Sequence, residues 1–224
     1  SAASDVYKRQ VAKMLAESNK KDLGCHTGTI SDAFLELYQA GKLTNAHKEL
    51  DTGLSAWNLA MGSQELYDWL DAEPQLFHPG DLDYIHSVER ISKLSNVISI
   101  NGGVQLDLMG QENAESTGTR QLSGVGGQMD FLEGAYRSKG GKGFICINSS
   151  RVTKNGERKS NILATIPGGS TISAPRTMIQ YVATEYGIAS LSGKTLRERA
   201  EAMASIAHPD FREELMKYAQ ENFK

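Results

Sequence analysis

The stretch QLSGVGGQMDFLEGAYRSKGGKGFICI, Gln121 to Ile147, constrains the fold more than any other. Gly124, Gly126 and Gly127 stand before a segment of helical periodicity, and Gly140, Gly141 and Gly143 stand after it, running directly into the β-branched and aromatic run GFICI. A short helix ahead of a strand, with bare backbone at both ends, is a building block of an α/β sheet. The amides of SGVGGQ lie just before the helix N-terminus, where unsatisfied N–H groups and the helix dipole favour an oxyanion or a phosphate. A plain tight turn is the alternative reading. Neither familiar phosphate loop fits. A Walker loop needs Gly-Lys-Ser/Thr, but Lys142 is followed by Gly143. A dinucleotide fingerprint needs a third glycine where Met129 stands.

The rest of the chain reads as alternating elements. Val6, Val11, Met14 and Leu15 fall at helical spacing, so the opening is a helix ending near Asn19, followed by DLGCHTG as a short strand. Ser31 or Asp32 can cap a helix through DAFLELYQA, closed by Gly41, and Ser63 can cap another through QELYDWLDA. AWNLAMG between them is a strand. NVISI and VQLDLMG flank Gly102-Gly103 as a hairpin or as consecutive strands around a glycine bend. Val104, Leu106 and Leu108 alternate with Gln105 and Asp107 as in a half-buried strand. GFICINSS, NILATI and QYVATEYGIA are further strands. Thr195 with Glu198 and Asp210 with Glu213 have capping-box spacing, and Pro209 separates the two closing helices. Trp57, Trp69 and Phe131 are read as core.

Composition excludes several classes. In 224 residues, 39% hydrophobic with a formal net charge of −3, there is material for one sizeable domain or two small ones and no basic stripe for nucleic acid. No apolar run is long enough to span a bilayer, and SAASDVYKRQ lacks the apolar centre of a secretory signal. Cys25 and Cys146 are too few and too far apart for a disulfide framework, and no CxxC or HExxH spacing offers a metal site. The expectation is therefore a cytoplasmic protein with no metal, no membrane and no nucleic acid as partner. Asn148-Ser149-Ser150 is then a chance match to a glycosylation acceptor.

Several motifs in order, HTGTISDAFLELYQAGKLTN, AMGSQELYDWLD, SINGGVQLDLMGQENAES, QLSGVGGQMDFLEGAYRSKGGKG, YVATEYGIASLSGKTLRERAEAM and IAHPDFREEL, resemble the C-terminal half of the acetyl-CoA hydrolase/transferase family. The resemblance is greatest to its 4-hydroxybutyrate and butyryl-CoA:acetate CoA-transferase branch, and it runs from about Val11 to the C-terminus. It implies an α/β fold of NagB/RpiA/CoA-transferase type, an open mixed sheet with flanking helices. It also implies a homo-oligomer whose substrates are coenzyme A, as acyl-CoA, and a short-chain carboxylate. In that family a glutamate attacks the acyl-CoA, an acyl anhydride and then a glutamyl thioester form, and backbone amides hold each oxyanion.

The same resemblance shows departures. The N-terminal domain has no counterpart, so residues 1–10 are expected to be foreign to the family and residues 11–224 to be its C-terminal domain. The nucleophile that follows a His-Thr pair in the transferase branch is replaced, after His26-Thr27, by Gly28. The family's EVDL becomes Gln105-Leu106-Asp107-Leu108. The catalytic residue is thus unassigned, with Glu115 a substitute candidate against a plain surface role. Asn101, Gly124, Gly126, Gly127, Gln128 and Lys142 are the expected CoA contacts, with SINGG and SGVGGQ at neighbouring strand ends. The bland readings are a turn-stabilising Asn101 and a solvated Lys142. His26 is a substrate-orienting or a structural histidine, Glu185 has the same two readings as Glu115, and His208 is a helix cap. Three functions remain: a CoA-transferase half, an acyl-CoA hydrolase, or a non-catalytic CoA-binding or dimerisation module.

Overall fold

The computed structural model describes residues 2–223, with side chains from Arg9 onward. The chain divides into two compact units: one holds the chain up to Val97 together with Glu133–Gly141, the other holds Ile98–Leu132 and the chain from Lys142 onward. No helix among the described residues is long and apolar enough to cross a membrane.

The first unit alternates helix and strand: α1 (Ala2–Glu17), β1 (His26–Ile30), α2 (Asp32–Gln39), β2 (Ser55–Ala60), α3 (Gln64–Ala72), β3 (Phe77–Pro79), α4 (Leu82–Ile85) and α5 (Val88–Lys93). The three strands form a parallel sheet in the order β1-β2-β3, as helical crossovers require. Ser63 caps α3, its hydroxyl accepting from the Leu66 amide. Ser31 is the N-cap residue of α2 but makes no side-chain cap bond, and Asp32 instead accepts from the Ser63 amide and hydroxyl. Ile30, Leu35, Leu66 and Phe77 fill the core with Trp69, whose ring packs against Tyr38 and Phe77 at 4.9 and 4.8 Å. Truncating such a fully enclosed side chain as Leu66 costs about 2–5 kcal/mol. Trp57, expected in the core, is only partly buried against it. The DLGCHTG strand begins later than expected, because the Cys25 amide is taken by the Asn45 side chain at 2.7 Å and Leu23 makes only an isolated bridge to Leu43.

The second unit contains β4 (Ile98–Gly102), β5 (Gln105–Asp107), β6 (Glu112–Asn113), β7 (Ser116–Thr117), β8 (Arg120–Gln121), the start of α6 (Gln128–Arg137), β9 (Lys142–Cys146), β10 (Ser150–Val152), β11 (Arg158–Ser160), β12 (Ile162–Leu163), β13 (Tyr181–Thr184), β14 (Gly187–Ser190), α7 (Leu196–Ser205) and α8 (Pro209–Asn222). Its main sheet is open and mixed, in the order β14-β13-β9-β4, with β4, β9 and β13 parallel and β14 antiparallel. A smaller sheet runs β12-β5-β6. Leu106, Leu108, Ile145, Ile162, Val182 and Met203 form the core beneath α7 and α8.

Several expectations change here. NVISI and VQLDLMG are consecutive strands that enter different sheets, β4 beside β9 and β5 between β12 and β6. The half-buried reading of β5 fails because that strand is central: Gln105 and Asp107 are as enclosed as Leu106 and Leu108. Asp107 is reconciled to burial by accepting from the Met109 and Gln111 amides and the Gln111 side chain. QYVATEYGIA folds back at Tyr186 into the hairpin β13–β14. The NILATI strand is confined to two residues, and Phe131 is half-buried. At the C-terminus the Thr195–Glu198 capping box forms, whereas the Asp210–Glu213 box does not: α8 starts at Pro209, and His208 accepts from the Asp210 amide as its cap.

Arg199 locks the end of the second unit. Buried on α7, its guanidinium donates to the carbonyls of Met109, Leu191 and Arg176 at 2.7–2.9 Å. Gly110 turns there at φ +85, and a Cβ would sit 2.8 Å from the Arg199 Nη2.

Candidate functional site

The two glycine segments of the second unit meet at a residue not singled out by sequence, Glu112. β4 ends at Gly102, and the Gly103 amide still donates to Cys146 O at 3.1 Å before the chain leaves the sheet. β6 returns antiparallel to β5 and sets Glu112 opposite Leu106. The Glu112 backbone is fixed from the other side, its amide donating to Ala174 O and its carbonyl accepting from the Ser173 amide. Its side chain has no solvent exposure. Gln128, the first residue of α6, donates through Nε2 to Glu112 Oε2, while Oε1 has no hydrogen-bond partner among the described residues. A Cβ on Gly103 would lie 2.9 Å from that Oε1 and 3.1 Å from the Ile145 methyl, so a side chain at 103 would displace the carboxyl. Burial, joined by the negative charge of Glu115, pushes the Glu112 carboxyl up to about 8 against the single opposing bond from Gln128. At neutral pH it is a carboxylic acid. Enclosed and neutral, it is no nucleophile.

The neighbouring carboxylate, Glu115, is also buried, and its part is played by its backbone: its amide donates to Asn113 Oδ1 and its carbonyl accepts from Leu122 and Ser123, anchoring the chain just before Gly124. Gly124 and Gly126 are exposed, with open space where a Cβ would project, and Gly126 adopts φ +62. Gly127 and Gln128 follow, half-buried, at the start of the ten-residue α6. Asn101 lies near the end of β4, paired with Ile145, its side chain donating to Ser99 Oγ at 2.8 Å. Lys142 is elsewhere. Exposed at the start of β9 and paired with Ile98, it stands at the opposite end of the parallel strands from Gly102. The glycines beside it answer to packing, since a Cβ on Gly141 would meet Ala135 O at 2.1 Å. The opening stretch therefore has glycines at the two ends of α6, about 15 Å apart.

In the first unit, Gly28 lies in β1 two residues beyond His26. His26, Ala56 and His78 are register partners on adjacent strands, and so project from one sheet face. The His26 Nε2 contacts Ile85 O at 2.8 Å, and burial depresses its pKa below the usual histidine value, so it is neutral and tied to α4. Beside this row Asp51 accepts from His78 Nδ1 at 2.9 Å and from the Tyr84 hydroxyl at 2.7 Å. The Arg90 guanidinium lies 3.6 Å over the Tyr84 ring. Burial alone would raise the Asp51 carboxyl, but the Tyr84 and His78 bonds and the Lys48 charge together hold it below the usual range. Glu185 is held down in the same way by the Ser149 amide and hydroxyl, whose bonds outweigh burial; it ties the β13–β14 turn to the chain after β9.

Sequence reasoning missed Glu112 and the Asp51 cluster for one reason. A lone Glu or Asp in a polar stretch reads as a surface residue. The available signal was GQENAES itself, a short polar return after an apolar strand. Glu112 opposes Leu106 whereas Gln105 opposes Asn113, so Glu112 leaves the opposite face of the ladder from Gln105 and is no relocated copy of the carboxylate missing there.

Comparison with known proteins agrees with this architecture. The acetyl-CoA hydrolase/transferase C-terminal domain matches residues 62–219. A butyryl-CoA:acetate CoA-transferase from Anaerostipes caccae is 44% identical over 94% of this chain and 47% of its own length. A 4-hydroxybutyrate coenzyme A transferase from Clostridium kluyveri is 44% identical over 95% of this chain and 48% of its own. The crystal structure of RipA from Yersinia pestis superposes with a TM-score of 0.86 at 37% identity, covering 95% of this chain and 47% of that one. A 4-hydroxybutyrate CoA-transferase from Porphyromonas gingivalis gives 0.79 at 36% identity, covering 95% and 48%. The chain spans about half the length of the curated relatives it matches. With the open mixed sheet and flanking helices of its CoA-transferase neighbours, the chain belongs to the acetyl-CoA hydrolase/transferase family.

Proposed function

We propose that this chain is the C-terminal domain of a CoA-transferase moving CoA between a short-chain acyl-CoA and a carboxylic acid such as acetate. The observation that carries the reading is the N-terminus of α6. There the bare Gly126-Gly127 backbone precedes a ten-residue helix, and Gln128 joins it to the end of β4 through Glu112. Free amides at a helix start favour a developing oxyanion or a phosphate oxygen. The transferase names of relatives at 44–46% identity support the substrate class. Asn101, Gly124, Gly126, Gly127 and Gln128 are the CoA contacts in this reading, and Lys142, at the far end of the strands, would meet CoA only through a distant phosphate. Residues 1–10 are foreign to the family, and a preceding domain completes the active site of the whole protein, a cytoplasmic homo-oligomer.

Gly28 favours a second reading. It stands where the resemblance places the glutamate nucleophile and has no side chain to form an anhydride, which favours a CoA-binding module without transferase chemistry. Acyl-CoA hydrolysis is less favoured, since the acetyl-CoA hydrolases among the relatives are only 29–30% identical. The chain alone, given butyryl-CoA and labelled acetate, is expected to form no labelled acetyl-CoA above background. In a complete two-domain protein, Gly28→Glu should raise transfer by at least roughly 100-fold, the loss that even one oxyanion donor causes. A borohydride-sensitive glutamyl thioester formed with Gly28 intact would place the nucleophile elsewhere, and Glu115→Gln would be the next variant to assay.

A further inference from the structure

We infer that Glu112 is a positioning residue for the CoA site: its buried carboxyl clasps the end of β4 to the start of α6, and a charge on it draws it onto Gln128 and away from Gly103, which shifts the clasp and weakens CoA binding. The inference rests on the CoA reading for its ligand, but the clasp itself rests on geometry.

Three contacts define it. Glu112 Oε2 accepts from Gln128 Nε2, which fixes the first residue of α6 and with it the direction in which the Gly126 and Gly127 amides point. Oε1 lies against Gly103, where the chain leaves β4. The backbone of Glu112 is bonded to Ser173 and Ala174, so the side chain cannot shift by sliding its strand. One carboxyl thus spans both glycine segments.

A carboxylate in this position would be poorly supported. It can accept about four hydrogen bonds and receives one from a side chain. Among the described residues, none of the groups acting on it is a cation: Gly103 follows β4, β9 presents Ile145, α6 presents Gln128 and carries Asp130 in its first turn, and the 173–174 segment presents backbone. The charge bearing on it from its own segment is the negative Glu115. The ionised form would draw closer to the Gln128 amide, its one side-chain donor, and away from Gly103, so both glycine segments would feel the change.

The test follows amide resonances of the chain from pH 6 to 9.5, reading Gly103, Gly126, Gly127 and the Gln128 side chain, beside calorimetric titration with CoA at pH 6.5 and 9. In the wild type the four signals should move together through one alkaline midpoint, and CoA should bind roughly tenfold or more weakly at pH 9, the worth of one hydrogen-bonded contact. Glu112→Gln keeps an acceptor oxygen for Gln128 but cannot ionise. It should bind CoA as the wild type does at pH 6.5 and be flat in both measurements. Gln128→Leu removes the one donor to the charged form and should move the Gly103 midpoint to higher pH, which tests the clasp even if Glu112→Gln fails to fold. Glycine signals that titrate equally in Glu112→Gln, or wild-type CoA binding that is unchanged across this range, would overturn the inference. If CoA binds at neither pH while the titration appears in wild type and vanishes in Glu112→Gln, the clasp stands and the CoA reading falls.

Discussion

Asp51 in the first unit and Glu112 in the second are both carboxyls withdrawn from water, and they hold different charge states. The Asp51 side chain is 7% exposed and Glu112 not at all, so burial raises both. Asp51 then receives a phenol and an imidazole on one oxygen, with Lys48 nearby, and stays ionised; Glu112 receives a single amide and faces Glu115, and stays neutral. What separates them is the number and charge of their donors together with the deeper enclosure of Glu112. Asp51 also sits at φ +53, a left-handed conformation costing about 1 kcal/mol for a residue with a Cβ, which the cluster must hold in place.

The largest expected effect breaks this comparison at its neutral end. Because the folded pKa of Glu112 lies above the ordinary value of 4.5, at about 8, the folded chain keeps a proton that the unfolded chain has released between those values. Stability therefore falls as pH rises through that window and levels off above it. Glu112→Gln should abolish the fall and leave the variant more stable than wild type at pH 8.5 by on the order of 3 kcal/mol. Urea unfolding at pH 5, 6.5 and 8.5 checks this, and equal slopes in the two proteins would mean that Glu112 is charged in the fold.

A smaller effect is expected at the charged end. Asp51→Asn replaces charge-assisted bonds with neutral ones and leaves Lys48 without its counter-charge, for a loss of about 2 kcal/mol at pH 7. With a folded pKa below its ordinary value, Asp51 contributes stability above about pH 4 and loses it as pH falls through the folded value. Wild type and variant should thus converge in acid. A gap persisting at pH 2.5 would assign the loss to packing.

The legible part of the fold was what local chemistry writes into a segment. Ser63 before QELYDWLDA, Thr195 with Glu198, and His208 before Pro209 name their helix starts, because a cap acts within four residues. The motifs carried the family. Strand partnership was not legible: nothing local tells β5 that it lies between β12 and β6, so Gln105 and Asp107 read as exposed and are enclosed. The same gap hid the site. Glu112 acquires its meaning from Gly103 and Gln128, nine and sixteen positions away, and Asp51 from His78 and Tyr84, still further along.

The smallest effect sharpens the comparison most, because it removes one donor from each carboxyl and leaves the rest. Tyr84→Phe keeps the ring that stacks at 4.5 Å on His78 and lies beneath Arg90, and deletes only the hydroxyl bonded to Asp51. Gln128→Leu deletes only the amide bonded to Glu112. Both raise the pKa of the carboxyl they abandon, since a bond to the charged form is lost. Their stabilities should nonetheless diverge. At pH 7 Asp51 is charged and needs the donor, so Tyr84→Phe should lose about 1 kcal/mol, and its acid transition should move to higher pH. Glu112 is already protonated at that pH, so Gln128→Leu should lose less there and more at pH 9, where ionisation is forced on a carboxyl without any side-chain donor. Unfolding both variants at pH 7 and 9 reads the contrast directly: equal losses at pH 7 would show that the two carboxyls share one charge state, and the donor-count account of their difference would fall.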